Sequence, residues 1–524
     1  MKFFLHMFQL NGYKNKEYLS WLGKNKSRAL FPLIYLLPAV LLIVPGENKV
    51  LTYVGIGLLI LISFVLAINF NAFEKAATKK KLVYTARVKR LMICLILVPT
   101  IVATVIAVIH TDNFSVSDMS WTLMETIEVW TFACALLQIG MVVCNLINHP
   151  IEVSINNHYI NDAKRMLKAN PDLIIIGVTG SYGKTSVKYY LHTLLSDFFD
   201  VLITPESYNT PMGVVKTIRG SLTATNKIFI CEMGARHVGD IKEICDIVHP
   251  KHGVITSIGP QHLETFFNME NIISTKYELA DALPDDGMLF VNDANSYVHD
   301  ERVKRQKEGK GLPGEVVLYS VRGSEGYRAS NITLTQTGTE FTLTAPDGEV
   351  ERFAMRLIGG HNVINVVGAI AVAHKMGVSL SKLRVPVRRI EPVAHRLQMR
   401  QHGNVTIIDD AYNSNPVGSK AAVETLNMFD GLRILVTPGM VELGEKEEEY
   451  NYKFGTYAAE NCDHIVLVGK ERTKPIAKGA LDSGFSSDKL FAFDTLEEAL
   501  QKAYTIPGEG HRYILLENDL PDNY

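Results

Sequence analysis

The stretch that most limits what this chain can become is Ile174–Ser186, which reads Ile-Ile-Ile-Gly-Val-Thr-Gly-Ser-Tyr-Gly-Lys-Thr-Ser. An apolar run, Leu173 to Ile176, enters a glycine-rich turn, and the turn opens into a helix-forming stretch, Val187 to Phe199. Strand, glycine-rich loop and helix in that order are the setting of a phosphate-binding loop. Gly180 and Gly183 let backbone N–H groups converge on phosphate oxygens, and the following helix presents its positive end there. Thr179, Ser181, Tyr182 and Ser186 fill out the expected cradle. Lys184 is placed to reach the β- and γ-phosphates, and the Thr185 hydroxyl to hold Mg²⁺. One position departs from the usual spacing: Val178 stands where the first glycine is expected, and Gly177 lies one residue earlier. The competing reading is a surface turn that happens to contain Gly-Lys-Thr. The flanking strand and helix favour ATP.

From Asp172 onward, apolar strand-like runs alternate with amphipathic helices: Leu173–Ile176, Val201–Ile203, Lys227–Cys231, Gly253–Ser257 and Met288–Val291. This pattern predicts a mostly parallel sheet covered by helices, with ligands beyond the carboxyl ends of its strands. Three polar clusters fall at those ends. Glu232 directly follows Lys227–Cys231, and its carboxylate suits an Mg²⁺ shared with Thr185. Gln261-His262-Leu263-Glu264 follows Gly253–Ser257, and Lys276 lies on the next expected helix. Taken singly these are a loop acid, a packing histidine and a solvated lysine. Their order after the phosphate loop is what raises them above that. Gly314 to Phe353 alternates apolar and polar residues between glycine-rich turns, as a small antiparallel section does. Near Val393 the pattern resets to a second α/β unit, with strands expected at Val405–Ile408, Arg433–Val436, His464–Val468, Leu490–Phe493 and Tyr513–Leu516.

The amino-terminal third is different. Four apolar stretches precede residue 150: Leu30–Val44, Val50–Phe70, Leu91–Ile109 and Val129–Ile147. A span needs ~20 apolar residues, so the last three qualify, while the first is short and contains Pro32 and Pro38. Lysines and arginines gather before the first stretch and again at Lys75, Lys79, Lys80, Lys81, Arg87, Lys89 and Arg90. The other connections carry Glu47 with Lys49, and then Asp112, Asp118, Glu125 and Glu128. By the positive-inside rule this predicts four transmembrane helices in a multi-pass protein of the cytoplasmic membrane, with the catalytic domains on the cytoplasmic side. Trp21, Trp121 and Trp130 sit near the expected boundaries, as interfacial aromatics do. The stretches hold no Asp, Glu, Lys or Arg, which argues against a transport pathway and for anchorage.

The expected architecture is therefore α/β: a membrane region over 1–150, a P-loop ATPase domain over 151–393 and a Rossmann-like domain over 394–524. At 524 residues the chain is too long for one core. A formal net charge of −2 argues against nucleic acid as a partner. The six cysteines have no metal-ligand or redox spacing, which fits a reducing compartment.

The motifs Val178 to Thr185, Asn209-Thr210-Pro211-Met212-Gly213, Glu232-Met233-Gly234-Ala235, His262-Leu263-Glu264 and Lys276 with Glu278 occur in one order. They continue with Gly360-His361-Asn362 and Asn365, Asp409-Asp410-Ala411-Tyr412-Asn413-Ser414-Asn415-Pro416, and Gly439-Met440-Val441-Glu442-Leu443-Gly444. In that order the sequence resembles the Mur ligase family, ATP-dependent amide-forming enzymes that build the peptide stem of peptidoglycan. The resemblance implies one Mg²⁺ held by Thr185 and Glu232, and a second held by Glu232 and His262. Lys276 matches a lysine that is carbamylated in many relatives, which turns an ammonium into a carboxylate-like metal ligand. Asn292, His361 and Asn362 match positions near the nucleotide base, Arg396 a residue reaching the γ-phosphate, and Asp410 a nucleotide contact. Lys184, His262, Lys276 and Arg396 are the expected catalytic groups. The implied reaction joins an amino acid, or a dipeptide such as D-alanyl-D-alanine, to a peptidoglycan precursor through an acyl phosphate.

Two departures from the family bear on substrate. The usual amino-terminal domain that grips the UDP-sugar is replaced by the apolar region. Where relatives carry Lys-Gly-Ser near the carboxyl end, this chain has Leu516-Glu517-Asn518-Asp519. The sequence thus leaves the precursor UDP-linked or lipid-linked. A membrane-tethered ATP-binding scaffold without ligase activity is the reading from another class, and the full metal set disfavours it.

Overall fold

The computed structural model describes residues 1–43, 53–65, 81–110, 116–412 and 414–519. The chain divides into two compact units, one made of residues 1–158 and one beginning at Tyr159.

In the second unit the apolar runs become strands buried on both faces. The first sheet contains β1 (Ile174–Thr179), β2 (Val201–Ile203), β3 (Ile228–Glu232), β4 (His252–Ile255) and β5 (Met288–Asn292). It continues through β6 (Glu315–Ser320), β7 (Tyr327–Thr335), β8 (Gly338–Thr344) and β9 (Val350–Met355), in the order β2-β3-β1-β4-β5-β6-β7-β8-β9. Pairing is parallel from β2 to β7 and antiparallel from β7 to β9. The expected antiparallel section is thus an extension of the main sheet.

Alternation along the strands divides the core. Ile176, Val178, Ile228 and Ile230 face helices Lys184–Leu195, Gly360–Lys375 and Leu380–Arg389. Ile175, Phe229 and Cys231 face helices Pro211–Ser221 and Asp240–Val248. Residues with period 2 must fall on opposite faces, and continuous apolar runs are what two covered faces require. Gly177 belongs to this packing and not to the phosphate loop. It pairs with Cys231 inside the sheet, and a Cβ there would lie 2.7 Å from Leu279 and 2.9 Å from Met233.

The second sheet holds β10 (Gln398–His402), β11 (Val405–Asp410), β12 (Leu432–Thr437), β13 (His464–Val468), β14 (Leu490–Phe493) and β15 (Arg512–Glu517). Its order is β10-β11-β15-β12-β13-β14, parallel except for the β10–β11 hairpin. The hairpin strand β10 is polar, so no apolar run announced it.

The first unit corrects the expected four-crossing membrane topology. Among the described residues one helix, Ala86–Ile106, is long and apolar enough to cross a bilayer, or two if a bent pair counts as one span. Leu30–Val44 breaks into Lys26–Leu30, a 3₁₀ turn Phe31–Tyr35 with Pro32 at its start, and Leu36–Ile43. Eight residues at 1.5 Å each reach about 12 Å, against a hydrocarbon layer of ~30 Å. The described part of Val50–Phe70 is a helix over Tyr53–Val65. Val129–Ile147 is interrupted between Ala135 and Leu137 and bends by 94°. A window of apolar residues does not record whether the helix through it is straight. Trp21, expected at an interface, is buried with Phe4, Phe8 and Tyr18 against Leu91 and Met141. Arg90, expected in a loop, lies in a helix and pairs with Glu152 at 2.6 Å. Glu47, Lys49, Lys75, Lys79, Lys80, Asp112 and Asn413 lie outside the described residues, as does the Trp121 side chain.

All six cysteines are free thiols. The boundary expected at residue 150 falls within helix Leu137–Lys168.

Candidate active site

The site is assembled at the carboxyl ends of β1, β3, β4 and β5. The loop after β1 turns through Gly180 (φ +148°) and Gly183 (φ +82°). A Cβ on Gly180 would fall 2.1 Å from the Thr256 hydroxyl, and one on Gly183 2.6 Å from Asn365 Oδ1, so neither position admits a side chain. The Ser181 and Tyr182 N–H groups donate to the Ser257 carbonyl, at 2.6 and 3.2 Å, which ties the loop to the end of β4. The Thr179 hydroxyl donates to Met233 O at 3.1 Å and Ser181 Oγ to Gly259 O at 3.0 Å, while Tyr182 reaches Pro260 O at 2.8 Å. Helix Lys184–Leu195 then starts with Gly183 as its N-cap residue and no side-chain cap. Its first-turn N–H groups have no partner within the helix, which is the arrangement that receives an anion.

Glu232 ends β3 almost fully buried. Its Oε1 accepts from the Thr185 hydroxyl at 3.0 Å and from Asn209 Nδ2 at 3.0 Å. Its Oε2 lies 3.0 Å from Nζ of Lys188, a lysine with no exposed surface that also donates to Glu206 O at 2.5 Å. Lys188 was not singled out from the sequence, although it lies one helical turn after Lys184 on the same face, where i and i+4 side chains align. A hydroxyl oxygen and a carboxylate oxygen side by side are hard donors of the kind Mg²⁺ takes. The residues present therefore fit a Mg²⁺–triphosphate.

Lys184 Nζ donates to Gly180 O at 2.7 Å and Ser181 O at 3.1 Å. Burial pushes its pKa down to about 8, opposed by Glu232 and reinforced by Arg396. Lys276, from helix Met269–Asp281, is also buried, and burial together with the nearby Lys184 charge lowers it to about 7. His262 lies within electrostatic reach of Lys276 and Arg236; burial lowers its pKa against the pull of Glu442. Lys184, Glu232, Lys276 and His262 thus form one connected electrostatic neighbourhood. Glu278, adjacent in motif to Lys276, turns away and accepts from the Gly239 and Lys242 N–H groups at 2.7 and 2.9 Å, capping helix Asp240–Val248.

Asn292 ends β5, and its Nδ2 donates at 3.0 Å to the hydroxyl of Ser257, the residue whose carbonyl holds the loop. Asn362 is committed within the core: its Oδ1 accepts from Tyr190 at 2.8 Å and its Nδ2 donates to Ile358 O at 2.8 Å. Ser186 is buried beneath the first turn.

The second sheet contributes the rest. Asp410 ends β11 and Glu517 ends β15, and the two are register partners. Asp410 accepts from Leu397 N–H at 3.1 Å, and the Ser414 hydroxyl donates to Glu517 at 2.6 Å. Burial raises both carboxyl pKa values, each opposed by Arg396, and Asp410 raises that of Glu517 further. Two such carboxyls share a proton in preference to ionising together. His361 and Arg396 are the charges facing Asp410, and Arg396 lies 4.7 Å over the Tyr412 ring. Glu442, from the loop after β12, contacts His262 Nδ1 and lies 3.3 Å from Arg236.

This geometry has known counterparts. Residues 178–373 match the Mur ligase middle domain, and 395–516 the Mur ligase, glutamate ligase domain. The UDP-N-acetylmuramoyl-tripeptide–D-alanyl-D-alanine ligase of Haemophilus influenzae is 30% identical over 363 residues, covering 67% of this chain and 76% of the relative. The enzyme of the same name from Escherichia coli is 28% identical over 385 residues, covering 71% and 83%. A crystal structure of MurF from Acinetobacter baumannii superposes with a TM-score of 0.62 at 26% identity, covering 70% of this chain and 78% of that one. Sequence, sheet order and site together give one conclusion: the chain belongs to the Mur ligase family.

Proposed function

We propose that this enzyme uses ATP and Mg²⁺ to join D-alanyl-D-alanine to UDP-N-acetylmuramoyl-tripeptide, the reaction for which its H. influenzae and E. coli relatives are named. The observation that carries the reading is the Thr185–Glu232 pair beside Lys184 at the head of an uncapped helix. The domains proposed are 151–393 and 394–524, within which the matched regions 178–373 and 395–516 lie.

The acceptor carboxylate attacks the γ-phosphorus, ADP leaves, and the resulting acyl phosphate is captured by an amine with loss of phosphate. Lys184 and the first-turn N–H groups stabilise negative charge on the transferring oxygens. Thr185 and Glu232 would hold one Mg²⁺, and Glu232 with His262 and a carbamylated Lys276 a second, and these ions would supply positive charge to the transferring phosphate. A lysine whose pKa lies near 7 is substantially neutral at physiological pH, and neutrality is what attack on CO₂ requires. Arg396 meets the γ-phosphate, Asp410 and His361 contact the nucleotide, and Asn292 lies near the base, whereas Asn362, expected beside it, is held in the core by Tyr190 and Ile358. Positioning and electrostatics do the work, so no serine or cysteine nucleophile is needed.

The test uses the full chain with ATP, Mg²⁺, UDP-linked tripeptide and D-alanyl-D-alanine, with products identified by mass spectrometry. Equimolar ADP, phosphate and UDP-linked pentapeptide are expected. ADP release indifferent to both substrates, with no pentapeptide, would overturn the reading.

A further inference from the structure

A histidine that ligates a metal through one ring nitrogen needs a partner for the other, because that partner fixes both tautomer and ring orientation. His262 has such a partner, and it comes from the other sheet. Glu442 lies 180 residues further along the chain, in the loop after β12, and its Oε2 meets His262 Nδ1. A carboxylate only accepts hydrogen bonds, so Nδ1 carries the proton and donates it. In the neutral ring that leaves the lone pair on Nε2. Both residues hold left-handed backbone conformations (His262 φ +51°, Glu442 φ +64°), which non-glycine residues adopt only when the surroundings impose them. The other Glu442 oxygen lies 3.3 Å from Arg236, again on the central domain. Two residues on, a Cβ at Gly444 would lie 3.7 Å from the Glu264 backbone, so the two loops abut. The Glu442 and His262 side chains are 15% and 16% exposed, which shields the contact from water.

We infer that Glu442 is a positioning residue for the second Mg²⁺ site: the carboxyl-terminal domain delivers it to His262 Nδ1 and thereby aims Nε2 at the ion. The inference rests on the reading of His262 as a ligand of that ion. Its consequence is that the metal site is incomplete until the two sheets adopt this arrangement. Approach of the carboxyl-terminal domain, which brings Arg396 and Asp410, then also readies the second ion. Domain approach and metal affinity become one equilibrium.

The test measures Mn²⁺ binding, by electron paramagnetic resonance with ADP present, to the full chain and its Glu442→Ala, Glu442→Gln, His262→Ala and His262→Ala/Glu442→Ala variants. Wild type is expected to bind two ions. Glu442→Ala is expected to weaken one of them about 10- to 100-fold, the range for loss of such a partner, and to leave the other unchanged. Glu442→Gln, which keeps an acceptor oxygen and the side-chain shape, is expected to fall between. In the His262→Ala background, removing Glu442 is expected to change nothing further, because the carboxylate acts only through the imidazole. If His262→Ala weakens one ion and Glu442→Ala does not, the inference is overturned while the ligand assignment stands. If neither variant weakens an ion, both fall. An equal further loss in the double variant would mark Glu442 as merely structural and also overturn the inference.

Discussion

The two halves of the site are built in different ways. The half around Thr185, Glu232, Lys188 and Asn209 comes from the parallel part of one sheet and the helices next to it. Its groups are held by strand ends and by a helix start, so it is complete within the central domain. The other half, with His262 against Glu442 and Asp410 near His361 and Arg396, draws on two sheets. Its contacts exist only while those sheets are apposed. The first half is therefore formed without the second sheet, whereas the second half is not.

The largest effect tests how rigidly the first half is tied. Lys188→Met removes the cation from a fully buried pair and strands the Glu232 carboxylate, a change that costs about 3–5 kcal/mol. Adding Glu232→Gln is expected to recover most of that loss in urea unfolding. A loss below about 1 kcal/mol for the single variant would mean the pair is not the anchor of this half. Next comes Lys184→Ala, expected to lower kcat by on the order of 10²–10³ while leaving the unfolding midpoint unchanged. Near-normal turnover in that variant would sink the phosphate-loop reading itself.

On the other half, Arg396→Ala is expected to lower kcat by roughly 10- to 100-fold, the worth of one hydrogen bond to a charged group. ADP affinity, measured by calorimetry, should change little, since ADP lacks the γ-phosphate that Arg396 is proposed to meet. A parallel fall in ADP affinity would erase the distinction between the halves. A separate effect, seen only on acidification, concerns the sheet beneath the first half. His252 in β4 is buried, and its Nδ1 accepts from the Met288 N–H at 3.1 Å. Burial, aided by Lys251, pushes its pKa down to about 4 from an ordinary 6.5. A folded value below the unfolded one means the stabilisation is whole above pH 6.5 and is lost as pH falls towards 4. The loss is about 1.4 kcal/mol per pH unit inside that window. His252→Gln should flatten this part of the stability profile, and an unchanged slope would show that another group sets it.

The phosphate loop was legible because its chemistry is local: thirteen consecutive residues specify strand, turn, lysine, hydroxyl and helix start. Glu232 was legible as the residue following an apolar run, although it proves to be the last residue of β3 itself. Lys188 was readable in principle from its i+4 spacing to Lys184, but a lysine on a helix is usually solvated, and only the fold shows it buried. The roles of Glu278 and Asn362 were not legible, since nothing in a motif says that a side chain will cap one helix or bridge two others. The membrane topology was misread because hydropathy adds up residues without testing continuity. A 94° bend divides Val129–Ile147, a stretch that composition alone makes long enough.

By itself the sequence determined the family, the parallel order of strand and helix, and the glycine-rich loop with its lysine and hydroxyl, because each depends on neighbours within a turn or two. Tertiary structure alone decided the partner of His262, the pairing of Asp410 with Glu517 and the burial of Lys188. Those contacts join residues from tens to 180 positions apart. Their existence depends on how two sheets and their helices pack, a relation that no short stretch of chain encodes.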